Sequence, residues 1–414
     1  MFYAVKCSLA SSLKAIPILG SSGANSFKPP TVSIVNKTVL SPVPPLDLTR
    51  QYATIETDVS AAVLQVLASG QYINGPVVAS FAEAFGDYVG SSECVVCNSG
   101  TDALYLALRA LNIGEGDEVI TSPFTFIATA EAISAVGAKP VFIDIERDTF
   151  NFNPNLIEAA ITAKTKAIMP VHIFGKPVDM DVVMAIAQKH GLPVIEDCAQ
   201  ATGAQWKGKS VGSIGHIGCF SFFPTKNLGG CGDGGALTTN DSEVAATASL
   251  IRDHGSKVRY HHEAIGINSR LDAVQAAILK IKLQHLEKWN EQRKEVAARY
   301  GDLLSPVDEV TAPREIKDGR SVWNQYSILL NGFTAEKRDR LRAAMKSQGV
   351  STMVYYPLPL HRQPVYQTLG YQAGDLPVTD QAAEEVLALP MFPELTAAQQ
   401  EQVVYALKDG LSGL

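Results

Sequence analysis

Cysteine is scarce in this chain, with six residues among 414. So few cysteines in a chain of this length do not make a disulfide framework. Long hydrophobic runs are missing too, because Lys, Asp or Pro interrupts each apolar stretch well before the roughly 20 residues of a transmembrane helix. An excess of basic charge is also absent, since 35 Lys and Arg stand against 42 Asp and Glu. These absences argue against a disulfide-rich domain, a membrane-spanning protein and a nucleic-acid-binding protein.

The first 46 residues contain no acidic side chain, and the first one is Asp47. The segment is rich in Ser, carries scattered Lys and ends in "SPVPP". Residues 1–45 are therefore either a flexible extension or an organelle-targeting peptide. A secretory signal is a weaker alternative, because Lys14 interrupts the apolar stretch. An arm packed on a partner is a further alternative. We expect a cytoplasmic protein, or an organelle-targeted one if the extension is a transit peptide.

The pair Cys94 and Cys97 invites a redox interpretation, which the local pattern disfavours. Both lie in "ECVVCNSG", which we interpret as a buried strand. Residues three apart in a strand point to opposite faces, so the two sulfurs should not meet. No spacing of His, Cys and Asp resembles a metal site, and His261 and His262 fall in a predicted exposed loop. We expect neither a redox pair nor a bound metal.

From about residue 46 the chain alternates short β-rich runs with helical runs. Helical spacing of apolar residues over 56–67 and 77–89 precedes the first predicted strand. Later runs such as "CVVCN", "DEVIT", "KPVFIDI", "KAIMPVH" and "PVIEDC" are separated by helical segments. The alternation predicts a large α/β domain over 46–285, with a mostly parallel sheet covered on both faces.

The last third of the chain has a different pattern. A long helical stretch over 272–300 predicts a helix that bridges two domains. The remainder mixes the strand-like "WNQYSILL", the amphipathic "EKRDRLRAAMKSQG" and the proline-rich "YYPLPLHRQPVY". We therefore expect residues 286–414 to hold the bridging helix and a smaller α+β domain, since a chain this long supports more than one core.

An acid and a lysine follow two of the apolar runs. Asp197 ends the strand-like "PVIED", where α/β proteins place ligands, although by itself it could also cap a helix. Lys226 comes 29 residues later, before a glycine cluster, and Ser221 precedes it by five. A carboxylate, an amine and a hydroxyl are what pyridoxal 5'-phosphate requires, for its ring nitrogen, its Schiff base and its phosphate respectively.

A phosphate also needs donors, and the segment "NSGTDALYLALRAL" offers a helix N-terminus. The free N–H groups and the dipole of such a terminus favour an anion. Gly100 permits a tight turn from strand to helix, and Thr101 adds a hydroxyl to its backbone N–H. Taken alone, the segment could equally be an ordinary strand–turn–helix.

Seven ordered segments resemble the sugar aminotransferases of the DegT/DnrJ/EryC1/StrS family. They are "LDLTRQY", "SGTDAL", "PFTFIATAEAI", "PVIEDCAQATGA", "GCFSFFPTKNLGGCGDGGA", "IGINSRLDAVQAAIL" and "YYPLPLHRQPVY". The resemblance runs from about residue 45 to the C-terminus. It implies the fold-type I architecture of pyridoxal-phosphate-dependent transferases, like that of aspartate aminotransferase, with a large cofactor-binding α/β domain and a smaller C-terminal α+β domain.

The resemblance also implies roles for individual residues around the cofactor ring. Lys226 would form the Schiff base and later move the proton, and Asp197 would pair with the pyridinium nitrogen. Gln200 would lie near the phenolic oxygen, one helical turn beyond Asp197 if the chain is helical there. Phe126 would stack on the ring. We further expect Phe220, Phe222 and Phe223 to bury Lys226 and lower the pKa of its amine.

The phosphate would be held by Gly100, Thr101 and Ser221 and, in this resemblance, by Asn268 of a neighbouring subunit. The active site would then be shared within a homodimer, with Arg270 beside Asn268. Without the resemblance, Asn268 could equally be a turn residue before the long helix.

Substrate contacts are implied for the C-terminal segment. Tyr355, Tyr356 and His361 would line the sugar pocket, although some relatives carry His-Tyr where this chain has two tyrosines. His172 either approaches the cofactor or is a hydrogen-bonded histidine at a strand end.

The resemblance implies an aminotransferase that converts a keto group of a nucleotide-linked sugar to an amine, in amino-sugar or polysaccharide biosynthesis. The donor would be an amino acid, with glutamate expected. Alternatives are a keto-cyclitol aminotransferase, a dehydratase, and a non-catalytic sugar-sensing regulator on the same fold. Dehydratase relatives replace the lysine by histidine, whereas this chain has Lys226. An intact Asp197, Gln200, Ser221 and Lys226 argue against the regulator.

Overall fold

A computed structural model describes residues 41–414, so most of the N-terminal extension lies outside the described residues. The helices of the described part are α1 (Leu48–Ala53), α2 (Glu56–Ser69), α3 (Pro76–Val89), α4 (Gly100–Ala110), α5 (Ala128–Ala135), α6 (Ile157–Ala160), α7 (Met180–His190), α8 (Ser242–Arg252), α9 (Ala273–Leu304), α10 (Ala335–Ser347), α11 (Pro377–Glu385) and α12 (Ala397–Ser412). Its strands are β1 (Glu93–Cys97), β2 (Glu118–Thr121), β3 (Lys139–Phe142), β4 (Thr165–Met169), β5 (Ile195–Asp197), β6 (Gln205–Trp206), β7 (Lys209–Ser210), β8 (Ile217–Ser221), β9 (Gly235–Thr239), β10 (Ser256–Val258), β11 (His261–His262), β12 (Val310–Thr311), β13 (Gly319–Arg320), β14 (Tyr326–Leu330) and β15 (Val386–Leu389).

The main sheet is mostly parallel, as the sequence predicts. Strands β1, β9, β8 and β5 form one segment in that order, and β3, β2 and β4 form another. Parallel bridges from Ile168 to Val194 and from Val171 to Asp197 join the two segments. Strand β9 is antiparallel to both of its neighbours, while β5 with β8, and β2 with β3 and β4, pair in parallel. The carboxyl ends of the parallel strands therefore meet at one edge, where ligands bind in such sheets.

Helices cover both faces of this sheet. One apolar core joins α4, α5 and α8 to the sheet and includes Leu106, Ile133 and Ala248. A second core lies on the other face between α3, α9 and the sheet, and includes Phe81 and Phe85. Strands β2, β8 and β9 are buried along their whole length, as expected for strands covered on both faces.

Helix α9 spans the boundary that the sequence analysis places after residue 285. Its first half packs on α2 and α3, and its second half packs on α12. In the second half, Val296, Tyr300 and Leu304 belong to a separate C-terminal core. The buried Arg293 donates to the carbonyls of Trp323 and Met391, each at 3.2 Å. The long helix thus links the sheet domain to the C-terminal core.

The C-terminal core contains the antiparallel strands β12, β14 and β15 together with α10 and α12. Val43 is fully buried in the same core. Its N–H donates to the carbonyl of Gly349 at 2.8 Å, and its carbonyl accepts from Ser351 at 3.0 Å. Residues 41–45, which the sequence analysis assigns to the extension, therefore begin the described fold.

Two local expectations can be compared directly with the structure. Cys94 and Cys97 are free thiols that contribute to different cores, the first beside Phe85 and the second beside Leu106. The two side chains therefore lie on opposite faces of the sheet, as the strand pattern predicts. The predicted loop at His261 and His262 is wrong, because these exposed residues form β11 in a hairpin with β10. Within residues 41–414, no helix combines the length and the apolar character needed to cross a membrane.

Candidate active site

A cavity of about 550 Å³ lies at the carboxyl ends of β5 and β8. Asp197 is the last residue of β5, and Ser221 is the last residue of β8. Ten residues singled out from the sequence line this cavity: Gly100, Thr101, Phe126, Asp197, Gln200, Ser221, Phe223, Lys226, Tyr355 and Tyr356. The fold thus brings together residues that are far apart in the chain.

One wall of the cavity is the N-terminus of α4. The Ser99 side chain caps the helix by accepting from the Asp102 N–H at 3.0 Å. The N–H groups of Gly100 and Thr101 lie in the first turn of α4 and have no helical carbonyl to bind. Gly100 is required for close packing, because a Cβ there would come within 2.6 Å of the Ser221 Cβ. The dipole of α4, the N–H groups of Gly100 and Thr101 and the Ser221 hydroxyl therefore form a place suited to a phosphate.

Asp197 is a buried carboxylate at the floor of the cavity, with 4% of its surface exposed. Its Oδ2 accepts from the Thr129 hydroxyl at 2.8 Å, and its Oδ1 accepts from the Ala199 N–H at 3.1 Å. Burial raises the pKa of Asp197, although these hydrogen bonds and the positive charge of Lys226 act in the opposite direction. A cation bound in the cavity would be stabilised by this carboxylate.

Lys226 lies on the turn after β8, where its N–H donates to the carbonyl of Phe223 at 2.9 Å. Burial lowers the pKa of its amine to about 8, against the opposing attraction of Asp197. At neutral pH about a tenth of such an amine is uncharged and nucleophilic, a far larger share than for an exposed lysine. The expected aromatic shield is only partly correct, because Phe222 is fully buried whereas Phe223 is 48% exposed.

Phe126 and Gln200 also line the cavity. The Phe126 side chain is 57% exposed, and its ring centroid is 6.5 Å from that of Tyr356. Gln200 is fixed at both ends, because its Oε1 accepts from the Phe174 N–H at 2.7 Å and its Nε2 donates to the Tyr356 hydroxyl at 3.0 Å. The chain reaches Gln200 through a turn, so the conditional expectation of a helix after Asp197 is wrong.

Asn268 and Arg270 do not line the cavity of their own chain. Asn268 is exposed, and Arg270 pairs with Asp253 at 3.1 Å. Between them, Ser269 accepts from the Asn98 N–H at 3.2 Å and donates to Asp102 at 2.6 Å. The segment is therefore anchored beside the start of α4, with Asn268 facing outward.

Two histidines are held in structural hydrogen bonds. His361 is 2% exposed and lies outside the cavity, with its Nε2 3.0 Å from Asp380. His172 accepts from the Val178 N–H at its Nδ1, which leaves Nε2 to donate to Glu196 at 3.0 Å. The hydrogen-bonded alternative for His172 is therefore the one observed.

His172 also belongs to a cluster that the sequence analysis did not anticipate. Its imidazole, the Glu196 carboxylate and the Cys198 thiol bring their ligand atoms within 4.8 Å of one another. Both imidazole nitrogens are already hydrogen-bonded, and Glu196 also accepts from the N–H groups of Ile214 and Gly215. The cluster is thus satisfied as a hydrogen-bond network.

Several lining residues were missed from the sequence. Thr129 holds Asp197 and also contacts the Thr125 hydroxyl at 3.0 Å. Gln325 comes from the C-terminal part of the chain, and Asp233 comes from the glycine cluster after Lys226. Thr129 stands three residues after Phe126 in one quoted motif, and Asp233 stands seven residues after Lys226 in another, so motif position was the available signal for both. Gln325 lacks such a signal, because only the folded chain brings it to the cavity.

Comparisons with known proteins agree with the geometry. A family model described as the DegT/DnrJ/EryC1/StrS aminotransferase family matches residues 53–408. A "Pleiotropic regulatory protein" of Geobacillus stearothermophilus is 50% identical over 87% of this chain and 96% of the relative. A Pseudomonas aeruginosa protein named "UDP-2-acetamido-2-deoxy-3-oxo-D-glucuronate aminotransferase" is 45% identical over 87% of this chain and 98% of the relative.

A solved structure is similar over nearly the whole described chain. It is described as "ntda from bacillus subtilis with bound cofactor pmp" and is 32% identical to this chain. The match has a TM-score of 0.83 and covers 90% of this chain and 86% of the other. The fold therefore has a counterpart in a solved structure whose description names a bound cofactor.

Proposed function

The chain belongs to the DegT/DnrJ/EryC1/StrS aminotransferase family, and we propose that it is a pyridoxal-phosphate-dependent aminotransferase acting on a keto group of a nucleotide-linked sugar. One observation carries the proposal. A buried carboxylate, Asp197, and a lysine of lowered pKa, Lys226, line one cavity together with the free N-terminus of α4. A pure binding module has no evident use for such a matched acid and amine.

The residues of the cavity fit the cofactor. The N–H groups of Gly100 and Thr101 and the Ser221 hydroxyl suit its phosphate, and the exposed face of Phe126 suits its flat ring. Asp197 suits its protonated ring nitrogen, because a buried carboxylate is best stabilised by a cation. Lys226 is the amine in the cavity that suits covalent attachment.

The cofactor supplies an electron sink when it is bound. The work of this chain is then to position groups and to move a proton. Asp197 keeps the ring nitrogen protonated, while Thr129 and the Ala199 N–H hold the carboxylate in place. The neutral Lys226 amine would take the proton from the carbon that carries the donor amine and would deliver it to the cofactor carbon bonded to the nitrogen, acting first as base and then as acid. Gln200 and Tyr356 hold each other in place in the cavity wall through their hydrogen bond.

The substrate class is supported by named relatives and by the cavity wall. A relative 45% identical over most of both chains is named as an aminotransferase of a UDP-linked oxo-sugar. Tyr355, Tyr356 and Gln325 line the cavity from the C-terminal part of the chain. Their hydroxyl and amide groups suit the hydroxyls of a sugar. An amino acid, with glutamate expected, would donate the amine.

We also propose that the enzyme is a homodimer with shared active sites. Asn268 is exposed and does not line its own cavity, although its segment is anchored beside the start of α4. An exposed amide at that place is available to a second copy of the chain. In a two-fold symmetric dimer each Asn268 would then complete the site of the other subunit.

The test is a panel of nucleotide-linked keto-sugars, each incubated with the holoenzyme and glutamate or glutamine. Mass spectrometry would detect the aminated product, and Lys226→Ala would serve as the blank. The proposal expects product from at least one nucleotide sugar. A second panel of keto-cyclitols would be tested in the same way, and product from that panel alone would show that the proposed substrate class is wrong. Binding of a nucleotide sugar without turnover would favour a regulator, as the name of one relative suggests.

A further inference from the structure

A second pocket lies apart from the active site and has no role in the proposed reaction. It has a volume of about 470 Å³ and shares no lining residue with the active-site cavity. Its walls come from residues 147–150, Lys176, residues 311–317 and strand β14. We propose that this pocket binds a small organic anion, through a carboxylate or phosphate group held by Lys176, Arg147 and Ser327.

Two buried polar atoms of this pocket lack hydrogen-bond partners among residues 41–414. Ser327 is 2% exposed, and its hydroxyl has no hydrogen-bond partner among the described residues. The Arg147 Nη1 is buried and likewise has none there, while its Nη2 is held by Glu385. Because buried polar groups are almost always hydrogen-bonded, these two atoms indicate a missing ligand or ordered solvent.

Lys176 provides a buried positive charge at the same place. It is 4% exposed, and its amine makes one long hydrogen bond, 3.4 Å from the carbonyl oxygen of Asp148. The amine also lies 5.9 Å from the centre of the Trp323 ring. An ammonium has three donors, so two remain for a ligand. Burial lowers its pKa to about 8, and a bound anion would offset that effect.

The charges around the pocket also favour an anion. Arg147, Lys176, Arg314 and Lys317 line it, against the acids Asp148 and Glu315. The Glu315 carboxylate is already engaged, because it accepts from the Ser321 N–H and hydroxyl at 3.0 and 2.5 Å. Asp148 is exposed to solvent, where its charge is screened. On the buried side, Arg147 is paired with Glu385, and Lys176 is the positive charge that has no salt bridge within residues 41–414.

The remaining lining limits the size and shape of the ligand. Phe150, Ala312, Ile316 and Leu329 supply apolar surface beside the polar groups. Such a mixture suits a compact organic body that carries one anionic group, rather than a bare ion. Both a carboxylate and a phosphate can accept from a guanidinium, an ammonium and a hydroxyl together.

The test is isothermal titration of the cofactor-loaded enzyme with two probes, succinate and glycerol 3-phosphate. Cofactor loading fills the phosphate place at α4, so that binding elsewhere can be measured. We expect one equivalent of at least one probe per chain, and the stronger probe identifies the anionic group. Lys176→Met should weaken binding about tenfold or more, the worth of one charge-assisted hydrogen bond. Ser327→Ala should weaken it several-fold, by about one neutral hydrogen bond.

The matched control is Lys288→Met, which removes an exposed lysine of α9 and should leave the dissociation constant unchanged. If Lys176→Met fails to fold, as judged by circular dichroism, Ser327→Ala and the control still decide the question. Absence of binding for both probes would overturn the proposal. So would unchanged affinity in the pocket variants, which would place the probe in the active-site cavity.

Discussion

Two lysines of this chain, Lys226 and Lys176, have a pKa lowered to about 8 by burial, yet they lie in different chemical surroundings. Lys226 shares its cavity with the buried Asp197 and the free start of α4. Lys176 faces a backbone carbonyl and the ring of Trp323. A lowered pKa therefore reports the loss of water around an amine, while the neighbouring groups decide its use.

Removing each lysine in turn should give the largest difference in kcat. Lys226→Ala should reduce kcat about a thousandfold or more, because both the covalent attachment and the proton transfer depend on its amine. Lys176→Met should keep kcat within about twofold, since this lysine lies outside the active-site cavity. Steady-state kinetics on both variants would measure this. Equal losses in the two variants would contradict the distinction.

Replacing Asp197 tests whether the acid that shares the cavity with Lys226 is needed for the reaction. Asp197→Asn should lower kcat about a hundredfold, a loss typical of removing one preorganised charge contact, while retaining part of the cofactor. Asp58→Asn, an exposed surface change on α2, is the control and should have no effect. Unchanged kcat in Asp197→Asn would remove this residue from its proposed role.

Mixed dimers test whether the surroundings of Lys226 include a second subunit. Lys226→Ala and Asn268→Asp homodimers should each be nearly inactive, the second because a carboxylate repels the phosphate. Co-refolding should restore about a quarter of the wild-type activity, since random mixing makes half the dimers mixed and each has one intact site. Mixed dimers that form but remain inactive would contradict the shared site.

The smallest effect concerns Thr129, which acts through Asp197. Thr129→Val should lower kcat several-fold, about the worth of one hydrogen bond, and Thr129→Ser should restore it. The Thr129 hydroxyl lowers the pKa of Asp197, so its removal should raise that pKa. Activity would then fall at a higher pH as the solution is made acidic. If the activity of Thr129→Val falls at the same acidic pH as that of the wild type, Thr129 has only a structural role.

The comparison also shows what the sequence can reveal. Lys226 and Asp197 stand at the ends of apolar runs, so their positions at the sheet edge follow from strand patterns and ordered motifs. Lys176 and Ser327 form a pocket that no local pattern predicts, because its walls come from four distant segments. The same reason explains the omission of Gln325 from the expected site.

Side-chain exposure was the least predictable property of the site. The sequence predicts that Phe223 buries Lys226, but Phe223 is 48% exposed, whereas the preceding Phe222 is fully buried. His361 was expected to line the sugar pocket, whereas it is buried against Asp380. In both cases the residue type and the motif are compatible with either orientation, and packing against distant elements decides.

The most direct test of the account is to locate the lysine that carries the cofactor. The purified holoenzyme would be treated with borohydride, digested, and its peptides mapped by mass spectrometry. The account predicts that the cofactor is fixed to the peptide containing Lys226, that Lys226→Ala abolishes the label, and that Lys176→Met leaves it intact. A label on the Lys176 peptide, or on any other lysine, would contradict the assignment of the active site.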